Sequence, residues 1–114
     1  MSRHDRARLE DIAEAIIVIQ GYLERGDLRD GLIYDAVRVR LIEIGEAVKA
    51  VSPELLATVP GIPWREIARM RDHLAHRYFD TDHAIVRDVV DSELQPLLDA
   101  VRMLVRRAAG DAGI

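Results

Sequence analysis

Apolar side chains recur at every third or fourth position along most of this chain, which is the spacing of one face of an α-helix. The clearest run steps by three and four without a break: Tyr34, Val37, Leu41, Ile44, Val48 and Val51. An earlier run has the same spacing: Leu9, Ile12, Ala13, Ile16, Ile19 and Leu23. Ile17 and Val18 widen the earlier run, so its helix is predicted to be covered on two sides. The pattern predicts an all-α fold.

Residues that start and stop helices set the bounds of the first half of the chain. The first helix is predicted over Arg3–Arg25, with Gly26 as its stop. The second begins with Asp27 or Asp30 as N-cap and ends at Ser52, because a residue that precedes proline disfavours the helical conformation. The next residues, 53–56, predict a short extra helical turn.

The second half of the chain predicts two more helices. One covers Trp64–Tyr78, with the preceding proline in its first turn. Asp80–Asp82 is predicted to form a turn and an N-cap cluster. The last helix is predicted over His83–Ala108, and Pro96 is expected to kink it or split it near Glu93.

Short connections between four main helices predict an antiparallel helical bundle with one short extra turn. The chain of 114 residues fits one domain, assigned to residues 1–109, followed by a short tail at 110–114. Gly45 lies beside the apolar seam of the second helix and would let another helix approach closely. The fold class therefore follows from spacing, stops and caps.

Charge and composition exclude several classes of function. A net charge of −4 and a pI near 5.5 argue against a protein that coats nucleic acid by neutralising phosphates. The chain has no cysteine, so disulfides and thiolate zinc sites are excluded. The longest apolar run, Ala15–Ile19, is too short to cross a bilayer, and the charged N-terminus is unlike a secretory signal. A cytoplasmic protein without membrane contact is expected.

Residues 71–78 read Arg-Asp-His-Leu-Ala-His-Arg-Tyr and carry the chemistry of the chain. Arg71 supplies a rigid fork of donors suited to phosphate. His76 supplies an imidazole, the side chain that exchanges protons near neutral pH, and Asp72 is placed to orient an imidazole. His73 and Tyr78 complete the cluster. The combination predicts a site that acts on a phosphodiester.

Helical geometry does not by itself bring Arg71 next to His76. Arg71 and Tyr78 are seven residues apart and share a face, whereas His76 lies roughly 140° from Arg71 around the cylinder. Three arrangements would close the gap: Arg71 wraps around the helix, the helix unwinds near His76, or a second copy of the motif completes the site across a two-fold axis.

Each of these residues also has a purely structural interpretation. Arg71 alone would be a surface ion-pair partner of Glu66 or Asp72, and His76 or Tyr78 would pack against the core. A metal set of histidines is disfavoured because no carboxylate or thiolate is placed beside it; that set is His73, His76 and His83. Three further cations are expected on a solvated face: Arg38, Arg40 and Lys49. Arg38 or Arg40 is a candidate for holding RNA.

The motif resembles that of the HEPN superfamily, in which an Arg and a polar residue are followed by three residues and a His. Here these are Arg71, Asp72 and His76, and the extended His-x-Tyr form ends at Tyr78. Two further stretches resemble the HepT-like toxin branch: residues 42–47, Ile-Glu-Ile-Gly-Glu-Ala, and residues 62–67, Ile-Pro-Trp-Arg-Glu-Ile. The branch often has Asn where this chain has Asp72. The resemblance extends from the first helix to about Val105.

The resemblance implies a HEPN-like homodimer with endoribonuclease activity that needs no metal or cofactor. His76 would be general base to the ribose 2′-OH or general acid to the leaving oxygen, and Arg71 would stabilise the phosphorane, giving a 2′,3′-cyclic phosphate. A nucleotidyltransferase antitoxin of the MntA type would block the toxin by transferring AMP from ATP to Tyr78. The alternative is a non-catalytic helical dimer that serves as scaffold and substrate of that transferase.

Overall fold

The computed structural model describes residues 1–76 and 79–112 of the chain, and these residues form helices with short connections. Helix α1 covers Arg3–Arg25, α2 covers Gly31–Ala50 and α3 covers Pro53–Leu56. Helix α4 covers Trp64–Ala75 and α5 covers Phe79–Asp88. A π-helical turn, Val89–Glu93, leads into α6, Leu94–Ala112. The predicted all-α class is confirmed.

Helix α2 is the centre of the fold because it packs against α1 on one side and α4 on the other, while α1 also packs against α6. Every residue of the predicted α2 seam is buried. The inner face of α1 is buried as predicted at Leu9, Ile12, Ile16 and Ile19. Ile17 is 48% exposed, so the prediction that α1 is covered on two sides is wrong at this residue.

Side chains cap the first two helices, and the cap of the second is one of the two residues that the sequence predicts. Ser2 Oγ accepts from the Asp5 amide at 3.0 Å at the start of α1. Asp30, rather than Asp27, caps α2 by accepting from the Leu32 amide at 2.9 Å. The Asp27 carboxylate instead binds Arg29. These contacts satisfy amides that the first turn of a helix leaves without partners.

Pro96 disrupts the last predicted helix at the expected place. Proline has no amide hydrogen and crowds the preceding turn, so a regular helix does not pass through it. The π-helical turn Val89–Glu93 absorbs this disruption, and the Leu94 amide donates to the Val89 carbonyl five residues earlier. The predicted split near Glu93 is confirmed, and α6 extends to Ala112, beyond the predicted end at Ala108.

Two predicted helix bounds around the motif are wrong. Helix α4 ends at Ala75 rather than at Tyr78, which lies outside the described residues. The predicted turn at Asp80–Asp82 is part of α5, which begins at Phe79. Asp82 does not cap a helix, because its carboxylate is buried beside Arg38. No helix within the described ranges is long and apolar enough to span a membrane.

A buried carboxylate ties the start of α1 to the end of α2. Asp5 is 5% exposed, and it accepts from the Ser52 amide at 3.0 Å and from the Ser52 hydroxyl at 2.6 Å. The hydrogen bond from the Ser52 hydroxyl is the main cause that lowers the pKa of Asp5. The charged form of Asp5 is therefore bound more strongly in the folded protein than in the unfolded chain.

We expect Asp5→Asn to lower the free energy of unfolding at neutral pH by about 1–3 kcal/mol, the scale of a hydrogen bond to a charged group. Because the pKa of Asp5 is lower in the folded protein, the charged carboxylate stabilises the fold at pH values above its unfolded pKa of about 3.9. This stabilisation is lost as the pH falls through the pKa of the folded state. Urea unfolding should therefore show a gap between variant and wild type that narrows in acid. Asp11→Asn is the control, since Asp11 is an exposed carboxylate on the same helix. A gap that does not change with pH would contradict this account.

Candidate active site at the end of helix α4

Close contact between α2 and α4 sets the position of Arg71. A Cβ atom on Gly45 would lie 2.6 Å from the Arg71 Cβ and 3.2 Å from both the Arg71 amide nitrogen and the Ile67 carbonyl oxygen. Real Cβ atoms do not approach backbone and side chain this closely, so only glycine fits at position 45. The predicted close approach of a helix at Gly45 is confirmed, and the residue that approaches is Arg71.

We expect Gly45→Ala to destabilise the protein by about 1–3 kcal/mol, because the added methyl group pushes α4 away from α2, as in other overpacked contacts. The helix propensity of alanine acts in the opposite direction by about 1 kcal/mol, so part of the loss is offset. Thermal unfolding measures the net change. Gly21→Ala is the matched control, because a Cβ at Gly21 meets no atom within 4 Å and should stabilise α1. Equal gains from both substitutions would contradict the packing argument.

Two carboxylates engage the guanidinium of Arg71. Its Nε forms an ion pair with Glu46 Oε1, and its Nη1 donates to Asp72 Oδ1 at 3.2 Å. The hydrogen bond to Asp72, followed by the charge of Glu46, raises the pKa of Arg71. Arg71 is therefore a fixed cation, 37% exposed, whose fork is oriented by acceptors on either side.

Lys49 balances the charge of Asp72. Lys49 Nζ lies 3.1 Å from Asp72 Oδ1, and this hydrogen bond is the main cause that lowers the pKa of Asp72, ahead of the bond from Arg71. Asp72 is therefore an anion at neutral pH, and two cations share its charge. The ion-pair interpretation of Arg71 is correct for Asp72. The second carboxylate that pairs with Arg71 is Glu46, which was not predicted as its partner, and not Glu66.

His76 lies just beyond α4 and contacts the backbone of its last turn. Its amide donates to the His73 carbonyl at 3.3 Å, three residues back, instead of to the Asp72 carbonyl four residues back. The Asp72 carbonyl oxygen instead lies 2.5 Å from Nδ1 of the His76 ring. Because a carbonyl only accepts, Nδ1 donates, and Nε2 is the basic nitrogen of the neutral ring.

Arg71 and His76 each contact Asp72, and the His73 side chain lies apart from these contacts. Asp72 meets Arg71 through its carboxylate and His76 through its carbonyl, so it orients the imidazole by its backbone and not by its side chain as predicted. Helix α4 ends at Ala75, so the regular helix does not continue through His76. The His73 ring is exposed and lines a separate groove between α4 and α5. Within residues 1–76 and 79–112, no three His, Asp or Glu side chains form a metal-binding group.

The three cations of α2 that were predicted on a solvated face have different environments. Lys49 is half-exposed but bound to the motif, and Arg40 pairs with Glu43 at the surface. Arg38 is only 12% exposed, so its predicted solvated position is wrong. One feature of the sequence could have identified Glu46 as a residue of the site. Glu46 follows Gly45, which marks the place where α4 approaches α2.

Comparison with known proteins gives a consistent family. The family described as Ribonuclease HepT-like matches residues 9–104. A protein of Thermococcus cleftensis named "Probable ribonuclease HepT" is 38% identical over 101 residues, which are 85% of this chain and 92% of the relative. A protein of Methanocaldococcus jannaschii named "Putative RNase MJ1216" is 30% identical over 112 residues, 95% of this chain and 93% of the relative. No solved structure matches the chain. The chain therefore belongs to the HepT-like ribonuclease family.

Proposed function

We propose that this protein is the toxin of a toxin–antitoxin pair and cleaves RNA as an endoribonuclease that needs no metal. The observation that carries the proposal is the contact of both Arg71 and His76 with Asp72. A guanidinium fork and an imidazole with a basic Nε2 thus lie at one end of α4. Relatives named as ribonucleases support the same activity. Its substrate would be cytoplasmic RNA.

The proposed reaction is transesterification within the RNA. Nε2 of His76 accepts the proton of the ribose 2′-OH as that oxygen attacks phosphorus, or an imidazolium donates a proton to the departing oxygen. The O2′–P bond forms and the P–O5′ bond breaks, leaving a 2′,3′-cyclic phosphate and a 5′-hydroxyl that carries the proton. Arg71 stabilises the charge that develops on the phosphorane oxygens.

Charge balance at the site dictates how a phosphate would enter. Arg71 and Lys49 face Glu46 and Asp72, so the resting site is close to neutral. A phosphate can replace Asp72 on Arg71 while Lys49 keeps the displaced carboxylate. We infer that a homodimer supplies further charge by bringing a second Arg71 and His76 to the same cleft across a two-fold axis.

The experiment is incubation of the purified protein with tRNA and with total RNA, with and without EDTA. Cleavage that EDTA does not affect, with cyclic-phosphate ends, is the expected result, and light scattering should give the mass of a dimer. An intact RNA substrate together with modification at Tyr78 would replace this proposal with the scaffold role. Cleavage abolished by EDTA would contradict the mechanism.

Tyr78 is the proposed site of control by a nucleotidyltransferase antitoxin. Its position two residues after His76 supports this proposal, because an adenylyl group there would add bulk and negative charge beside the site. The phenol oxygen would attack the α-phosphate of ATP, forming a P–O bond and releasing pyrophosphate.

We expect the transferase and ATP to add adenylyl groups to the wild-type protein and to stop its RNA cleavage. Tyr78→Phe should keep cleavage and resist both effects, because it lacks the nucleophilic oxygen. Intact mass spectrometry and the RNA assay measure the two effects. Tyr22→Phe is the control, since Tyr22 lies in α1. Modification of Tyr78→Phe to the wild-type extent would place the acceptor elsewhere.

A further inference from the structure

A largely buried guanidinium on α2 joins the two helices that flank His76. Arg38 Nη2 donates to the Leu74 carbonyl in the last turn of α4. Arg38 Nε lies 3.9 Å from Asp82 Oδ2 in α5, and the two side chains are 12% and 4% exposed. His76 lies in the short segment between these helices. One side chain of α2 therefore contacts both flanks of the proposed base.

The contact with Leu74 has a specific effect on the chain. In a continuing α-helix the Leu74 carbonyl would accept from the amide four residues later, at position 78. Arg38 Nη2 donates to this carbonyl from α2. Arg38 therefore binds a carbonyl of the last turn of α4, just before His76, whose ring reaches the Asp72 carbonyl.

Helix α2 holds the start of α5 at a second, adjacent point. Tyr34 lies one turn before Arg38, and its ring stacks on His83 with a centroid distance of 3.8 Å and an interplanar angle of 4°. Tyr34 is buried, and burial raises the pKa of its phenol. Since Asp82 and His83 are consecutive, both contacts hold the same turn of α5.

The Asp82 carboxylate depends on Arg38. Asp82 is 3% exposed, and its Oδ1 has no hydrogen-bond partner within the part of the chain that the structure describes. A buried carboxylate without a cation is strongly unfavourable, so loss of Arg38 would release the first turn of α5. Lysine would not replace arginine here, because an ammonium is a point charge without the fork that contacts Leu74 and Asp82 together.

We propose that Arg38, paired with Asp82, is a positioning residue that fixes the imidazole of His76. Its catalytic consequence rests on the proposed ribonuclease function. Arg38 does not touch RNA in this role. It holds the end of α4 and the start of α5 so that His76 reaches the Asp72 carbonyl through Nδ1, which makes Nε2 the basic nitrogen of the neutral ring.

Kinetics of Arg38→Lys and Asp82→Asn test the proposal. Misplacement of a catalytic group by about 1 Å lowers turnover by up to about 100-fold. We therefore expect kcat to fall by about 10- to 100-fold in both variants, with KM nearly unchanged. Asp5→Asn is the matched control, because it breaks another buried polar contact, between α1 and Ser52, and should lower stability without lowering kcat. Wild-type kcat in the folded Arg38→Lys and Asp82→Asn proteins would overturn the proposal.

Histidine NMR separates this proposal from the ribonuclease function. In protein labelled with ¹⁵N-histidine, the Nδ1–H signal of His76 should shift or broaden in Arg38→Lys and stay in place in Asp5→Asn. If the wild-type protein cleaves no RNA but the signal still changes, the positioning role stands and the ribonuclease proposal fails. An unchanged His76 signal in Arg38→Lys would refute the positioning role whatever the activity.

Discussion

Replacing His76 with alanine is expected to reduce RNA cleavage by about two to four orders of magnitude, the usual contribution of a positioned acid or base. The reason lies in the orientation of the ring. Nδ1 is held by the Asp72 carbonyl, so Nε2 is the basic nitrogen of the neutral tautomer. Single-turnover cleavage of a defined RNA measures the loss in the chemical step directly.

Two other histidines provide the comparison for His76→Ala. His4→Gln removes an imidazole that contacts the Ala50 carbonyl at the C-terminal end of α2, and it should leave cleavage unchanged. His73→Ala removes the neighbouring exposed imidazole and should reduce cleavage far less than His76→Ala, because His73 contacts His76 through its backbone carbonyl, which alanine keeps. A larger loss from His73→Ala than from His76→Ala would contradict the assignment of His76 as the base. Circular dichroism establishes that each variant is folded.

Much of the helical framework could be predicted from the sequence because its signals are local. The seam from Tyr34 to Val51 is buried as its period predicts, and Gly45 marks the closest approach to α2. Pro96 marks the disruption of the last helix, since the missing amide acts within one turn of its position. These features need no knowledge of which helices are neighbours.

The end of α4 was not predictable in the same way, because tertiary contacts decide it. Residues 76–78 continue a helical pattern in the sequence. The Leu74 carbonyl, however, accepts from Arg38, which lies on α2 and is distant in the chain. Arginine is usually a surface residue. Arg38 is largely covered here because its side chain contacts the Asp82 carboxylate and the Leu74 carbonyl. Glu46 and Lys49 belong to the site only because Gly45 brings α4 onto this part of α2.

Replacing Arg71 with alanine is expected to lower RNA cleavage by about 100- to 1,000-fold, the effect of removing one donor that stabilises a developing oxyanion. Stability should change little, because the ion pairs of Arg71 with Glu46 and Asp72 are partly exposed and such pairs contribute about 0–1 kcal/mol. A large loss of activity in a protein of nearly wild-type stability separates a role in the reaction from the surface ion-pair interpretation. Cleavage kinetics and urea unfolding of the same sample measure both.

The chemistry of Arg71 also predicts the behaviour of a lysine at this position. Arg71→Lys keeps the positive charge but loses the planar fork that binds two acceptors, so it should recover only a small part of the lost cleavage. Arg102→Ala removes the same charge from an exposed position on α6 and should leave cleavage near the wild-type rate. If lysine restored full activity, the site would need only a cation at position 71. If Arg102→Ala matched Arg71→Ala, the loss would reflect the total charge of the protein, and the fork held between Glu46 and Asp72 would have no part in cleavage.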